Sequence, residues 1–321
     1  MRQRGFIVKK KNIALTGIIS SLFLLAACGQ AAAPKQAATQ APAASASPAV
    51  TSTAKPVEKE PRVASMSIHL TNDLLALGIT PVGSVMGGDL KAFLPHVADR
   101  LQNTKKLGVV AEPDMEALLA LKPDVIYLDQ QYAGKDVSKY EKIAKSEVFN
   151  LDEGTWRDHL KKIGKLVNRE QQADTYIKDY ETQVTKVKGL INAKIGDGKV
   201  MAIRVTAKEL RVMGMKRPLG PILFTDLGLK PANGVEKIDK AYETISQEVL
   251  PDYDADAIFV IVNNEDSAKK LFEQLSSNPI WKGLKAVKAG HIYPIADQPW
   301  LDYSAIGNKM SLDAAEKLFA K

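Results

Sequence analysis

The feature that most constrains this chain is a single apolar stripe between residues 170 and 193. Ala173, Ile177, Tyr180, Val184, Val187 and Ile191 recur in steps of four, three, four, three and four. Such alternation places all six along one side of an α-helix. Lys178, Asp179, Glu181, Lys186 and Lys188 fall on the other faces, where water can solvate them. From Glu170 to Ala193 the rod is about 36 Å long, the width of a small domain. Gly196-Asp197-Gly198 supplies a stop and a turn. The flanking segments both have α/β character, so the stripe predicts two α/β lobes with mainly parallel central sheets. One long rigid α-helix joins them, with a ligand cleft between.

In the first lobe, taken as residues 62–169, the runs Val63–Met66, Val82–Val85 and Val125–Leu128 read as short buried strands. Helical patterns fall between them at Asp73–Leu77, Lys91–Asp99 and Asp114–Leu121, with one more at Thr155–Val167 that Asn168 can end in the left-handed region. The interlobe helix occupies 170–196. In the second lobe, 197–321, Val200–Thr206 and Glu209–Met213 suit a hairpin and Ala257–Val262 a buried strand. Helices are expected at Leu219–Leu227, Ser267–Leu275 and Ala305–Phe319.

The halves echo each other. Leu77-Gly78-Ile79-Thr80-Pro81 matches Leu227-Gly228-Leu229-Lys230-Pro231. Glu116, Leu118, Asp124, Ile126 and Tyr127 match Glu248, Leu250, Asp256, Ile258 and Phe259 at one constant offset of 132 residues. The glycines can cap a helix and the prolines start the next turn.

The chain opens with Arg2, Arg4 and Lys9-Lys10-Lys11, followed by the apolar run Ile13–Leu25, which is short for a membrane span but suits an export signal. Leu25-Ala26-Ala27-Cys28 resembles the lipobox of bacterial lipoproteins. That resemblance implies cleavage after residue 27 and lipidation of Cys28, the only cysteine in the chain. No disulfide, Cys-based metal site or thiol catalyst can then exist elsewhere. Residues 28–61, rich in Ala, Pro, Ser and Thr, cannot bury enough surface to offset their ordering entropy and read as a flexible tether. The five leader cations account for most of the net charge of +7 and leave +2 on the mature chain. A basic pI of that origin gives no support to nucleic-acid binding. The location expected is extracytoplasmic, lipid-anchored at the cell membrane.

The stretch Leu107–Asp129, LGVVAEPDMEALLALKPDVIYLD, resembles the signature of the iron-siderophore and cobalamin solute-binding proteins of ABC importers. GPILFTDLGLKP, ISQEVLPDYDADAIFVIV and GHIYPIADQPW follow in the family's order. The resemblance runs from about Arg62 to Phe319. It implies the same two-lobed fold and small closure on ligand. It also implies an ABC permease dimer with its ATPase as partner, a ferric siderophore as transported ligand with iron held by its chelator, and no cofactor. By the same resemblance, Glu116 and Glu248 would dock on arginines of the permease. Their equivalence in the repeat suits a two-fold partner; a helix N-terminal acid favoured by the macrodipole is the ordinary alternative for each. The binding protein itself is expected as a monomer.

Ligands of open α/β sheets sit beyond the carboxyl ends of the strands. In the first lobe those ends point to His69, Met86 and Gln130-Gln131-Tyr132; in the second, to Arg204, the Met213–Arg217 turn, Asn263-Asn264 and the approach to Trp300. An oxygen-rich, often anionic complex is suited by forked arginine hydrogen bonds and aromatic faces. Arg204 and Trp300 lead the candidates, as an arginine ending an apolar strand and an aromatic in a loop. An edge-strand arginine and a core anchor are their ordinary alternatives. Tyr303, Arg211, Arg217 and Lys216 follow, then Tyr132, Met86 and His69. With few cations assignable, the count leans towards a hydroxamate or mixed chelator.

His69, His96, His159 and His291 are scattered and form no HxH or HExxH pattern, so direct metal import fits poorly. No GxSxG elbow, Walker A loop or GxGxxG fingerprint appears, and no enzyme is expected. Haem or cobalamin on the same fold is the alternative cargo, haem needing an axial Tyr, His or Met. A signalling or adhesive surface lipoprotein is the alternative of another class.

Overall fold

The computed structural model describes residues 60–320 except 89, 134 and 135. The expected export signal, Cys28 with its expected lipid attachment, and the expected tether as far as residue 59 lie outside the described residues. Among those described, no helix is long and apolar enough to cross a membrane.

The stripe does form a helix, Glu170–Ile195, of 26 residues and about 39 Å. Ala173, Ile177, Tyr180, Val187 and Ile191 are buried along it. Gly196 ends it at φ 60°, a left-handed conformation that costs glycine nothing. The buried face joins one apolar cluster that includes Leu70 and Leu74 of the first lobe and Val200, Ala202 and Phe259 of the second.

The first lobe is a six-stranded sheet in the order β4-β3-β2-β1-β5-β6: Glu112–Pro113, Lys105–Val109, Gly83–Met86, Val63–Ser65, Val125–Asp129 and Lys145–Phe149. All pairs are parallel except β3 with β4. Strands β3 and β6 escape a pattern reading because little besides Leu107 and Phe149 is buried in them. The helix expected at Lys91–Asp99 is not formed. Lys91 sits at φ 46°, Pro95 interrupts the run, and only a short 3₁₀ turn, Ala98–Leu101, follows. The apolar residues are buried all the same, with Phe93, Leu94, Val97 and Leu101 around Leu75 and Ile306. The helix Trp156–Leu166 opens on a capping box between Thr155 and Asp158, and Asn168 follows it at φ 55°.

The second sheet runs β10-β8-β7-β11-β12: Tyr242–Ile245, Leu210–Met213, Lys199–Val205, Ala257–Val262 and Ile292–Pro294. The two-residue β9, Lys230–Pro231, also pairs with β7. The expected hairpin is β7 with β8.

The repeat is structural. Val63 faces Val125 as Val200 faces Ala257. Asp124 accepts from Arg62 N at 2.8 Å and Asp256 from Lys199 N at 2.7 Å, each carboxylate fastening the start of its lobe's first strand. Gly78 and Gly228 both have positive φ, Leu118 and Leu250 are both buried, and Lys122 and Asp254 are both left-handed.

A second element crosses between the lobes. The C-terminal helix, Ala305–Phe319, follows β12 but returns to the first lobe, where Asp73 accepts from Ala305 N at 2.7 Å. The interlobe helix fastens it through Tyr176 Oη donating to Ala305 O at 2.9 Å and Lys186 to Glu316 at 2.6 Å. Because Ile191 is fully buried in this shared core, Ile191→Ala should cost about 2–5 kcal/mol by urea unfolding. Exposed Lys178→Ala should stay within about 0.5 kcal/mol.

Candidate functional site

The first sheet reverses its winding beside β1: β2 and β3 lie on one side, β5 and β6 on the other. The carboxyl ends there form a crevice suited to a ligand. Into it project His69, in the first turn after β1, Gln131 after β5, and Asp152 in the turn after β6. The second lobe answers with Lys216 and Arg217, carried on the turn after β8. Glycines brace that turn at both ends. A Cβ on Gly214 would press on Lys240 O, and one on Gly220 would run into the Met215 carbonyl. Tyr303 enters just ahead of the C-terminal helix, whose cap is Ser304.

These side chains form a stack. His69 lies on Tyr303 with ring centroids 3.5 Å apart, and the Arg217 guanidinium covers Tyr303 at 4.4 Å. Arg217 Nε donates to Asp152 Oδ1 at 2.8 Å and Nη2 to Gln131 Oε1 at 3.2 Å. Lys216, Arg217, Asp152, Tyr303 and Trp156 line a cavity of about 470 Å³, within the usual size of a small-molecule site. Farther along its wall, Asp226 accepts from Arg157 at 2.9 Å and from Tyr180 Oη at 2.7 Å, with Trp156 Nε1 at 3.4 Å. One carboxylate thus touches the first lobe, the interlobe helix and the second lobe together.

Behind the stack lies a buried polar network. Asp302 accepts from His69 Nδ1 at 3.0 Å, His96 Nε2 at 2.9 Å, Asn72 Nδ2 at 2.7 Å and Ser304 N at 3.1 Å. Burial alone would raise its carboxyl, but the histidine hydrogen bonds outweigh that and hold it well below the usual carboxylate range. Beside it, burial pushes Asp73 up to about 8, against the bond from Ala305 N. Asp129, at the end of β5, is likewise raised by burial, and among the described residues its Oδ2 has no hydrogen-bond partner.

Of the candidates named from sequence, Tyr303, Arg217, His69 and Lys216 come together here. Arg204 and Arg211 are cross-strand neighbours on β7 and β8. Arg204 Nε donates to Asn263 Oδ1 at 2.9 Å, and Arg211 is paired with Glu209 at 2.5 Å over the Tyr242 ring. Tyr132 is 51% exposed next to Gln131. Met86 is half-buried against the Phe93 cluster. Trp300 departs from its expected place at the cleft: it is 2% exposed and packed near Phe259, a core anchor with almost no surface to offer a ligand. Glu116 and Glu248 are both exposed. The histidines expected to be scattered do not all stay apart, since His69 and His96 converge on Asp302. Among the described residues, no group of three or more His, Cys, Asp or Glu is arranged to hold a metal ion. Sequence reasoning missed Asp152, Asp302 and Asp226. Recognition of β6 would have pointed to Asp152; no local pattern marks the other two.

Two α/β lobes, a long connecting helix and a cavity between opposed walls define a bilobal solute-binding protein. The chain belongs to the periplasmic binding protein family, whose model matches residues 63–299. It is 30% identical over 257 residues to the iron-uptake system-binding protein of Bacillus subtilis, covering 78% of this chain and 80% of that one. Likeness to the probable siderophore-binding lipoprotein YfiY of Bacillus subtilis is 28%, over 97% of this chain and 99% of the relative. Among solved structures, Staphylococcus aureus SirA complexed with staphyloferrin B superposes with a TM-score of 0.71 at 26% identity, covering 82% of this chain and 94% of SirA. Bacillus subtilis FeuA complexed with ferri-bacillibactin gives 0.67 at 28%, covering 81% and 92%.

The Asp73 carboxyl gives this site a pH signature. Between pH 4 and 8 the unfolded chain ionises Asp73 while the folded chain keeps its proton, so the folded state binds more protons and loses stability as pH rises. Asp73→Asn keeps an oxygen for Ala305 N–H and removes the titration. In urea unfolding at pH 5 and 8, its stability relative to wild type should therefore increase towards pH 8, by at least about 1 kcal/mol.

Proposed function

We propose that this protein is the extracytoplasmic, lipid-anchored receptor of an ABC importer, capturing a ferric siderophore between its lobes and delivering it to the permease. The carrying observation is the cavity walled by Arg217, Lys216 and Tyr303 on a fold whose relatives include proteins solved with staphyloferrin B and with ferri-bacillibactin. The arginine supplies forked hydrogen bonds to anionic oxygens, and the aromatic face supports a flat chelating arm. Iron stays wrapped in its chelator, and the protein performs no chemistry; the partner ATPase drives uptake. Arg204 is a further candidate contact at the end of β7, with Arg211 beside it.

Glu116 and Glu248 serve as the permease contacts. They occupy equivalent positions in the two halves, one on each lobe, as a two-fold partner requires. Reversing both to lysine should abolish transport while leaving ligand affinity within about twofold.

Cargo is read by tryptophan fluorescence, with Trp156 on the cavity wall as reporter. Ferric catecholates, hydroxamates, citrate, haem and cobalamin are titrated in turn, with calorimetry alongside. Saturable binding of a ferric siderophore is expected, weakened roughly tenfold or more in Arg217→Ala through loss of a charge-assisted hydrogen bond. Binding of haem or cobalamin alone, or of nothing in the panel, would overturn the reading.

A further inference from the structure

We propose that Asp152 is a built-in stand-in for the cargo: its carboxylate occupies Arg217, and an anionic oxygen of the ferric complex displaces it. This inference rests on the siderophore reading and adds the charge class of the cargo. Asp152 comes from the first lobe and Arg217 from the second, and both line the cavity. A single carboxylate oxygen, Asp152 Oδ1, lies 2.8 Å from both Nε and Nη2 of Arg217, and Gln131 adds an amide oxygen. The guanidinium is therefore presented with the pattern of acceptors that an anionic chelator would offer.

The two partners are unequally held. The Arg217 side chain is only 17% exposed, lies against Tyr303, and rides on a turn braced by Gly214 and Gly220. The Asp152 side chain is 65% exposed, and among the described residues it is hydrogen-bonded to Arg217 alone. An ion pair with one solvated member is weak and readily exchanged. The arginine stays in place, pre-oriented, and the aspartate swings out. A cargo group that excludes water from the same guanidinium interacts more strongly than the exposed carboxylate it replaces. The exchange requires an anionic oxygen, so the cleft favours complexes with outward carboxylates, α-hydroxycarboxylates or catecholates over near-neutral tris-hydroxamates. This differs from the lean given by a count of cations along the sequence.

The test compares wild type, Asp152→Asn and Asp152→Ala with Arg217→Ala. Each is titrated by calorimetry with an anionic ferric tris-catecholate, ferric citrate and a near-neutral ferric tris-hydroxamate, after thermal melts show the variants folded. Removing the resident charge should tighten binding of the anionic complexes about three- to tenfold, with a distinctly smaller gain for the hydroxamate. Arg217→Ala should weaken the anionic complexes and cancel the gain when combined with Asp152→Asn. Wild-type binding with no gain, or a loss, in both Asp152 variants would overturn the exchange and leave the siderophore reading intact. A wild type that binds no ferric complex would overturn both. The asparagine variant keeps the side-chain shape, so a folding defect in the alanine variant does not decide the matter.

Discussion

The whole structure depends on one continuous apolar seam, the buried face of the helix Glu170–Ile195. Ala173, Ile177, Tyr180, Val187 and Ile191 are removed from water along it, in a cluster to which both lobes contribute, while each lobe also has a core of its own. Burial of this kind supplies most of the driving force for folding. Because a single cluster runs through both lobes, they share a core rather than merely a linker. Apolar packing, Tyr176 on the C-terminal helix and Tyr180 on Asp226 fasten the helix to its neighbours. Asp226 is the polar counterpart of the seam, since it ties Arg157 and Tyr180 from two other elements to the second lobe.

The cleft is arranged in layers of decreasing rigidity. Deepest is Asp302, fully enclosed and satisfied by two histidines, an asparagine and a backbone N–H, which sets the His69 ring. His69 in turn supports Tyr303, and Tyr303 supports Arg217. The outermost layer, Asp152, is the most open to solvent of these. Buried polar networks of this sort are costly when half satisfied and rigid when complete. Here that rigidity is delivered to the Arg217 guanidinium, which lines the cavity. The N-terminus of the C-terminal helix lies against Asp73 and Asp302, so its N–H groups help to hold two buried carboxyl groups, one protonated and one ionised.

Much of this was legible in the chain. The helical stripe, the hairpin of β7 and β8, Asn168 as a helix end, and the repeat linking Asp124 with Asp256 all follow from local spacing. So do Arg217, Tyr303 and His69 as cleft candidates, because they flank strand ends. Local spacing failed where burial is uneven or a proline intervenes. β3 and β6 carry too few buried residues to show a period, and Pro95 breaks a helix whose apolar residues still find the core. Trp300 was misplaced for a related reason, since an aromatic beside a proline looks the same whether the loop turns it outward or folds it against Phe259.

By itself, then, the sequence determined the two related α/β lobes and the rod between them. Periodicity, capping and turn chemistry act over a few residues and are written in order along the chain. Only the tertiary structure decided that His69 and His96 meet on Asp302, that Asp152 reaches Arg217 across the cleft, and that the last helix returns to the first lobe. Those contacts join residues 65 to 233 positions apart. No local preference encodes such pairings; they exist because the shared core brings the two lobes' strand ends face to face.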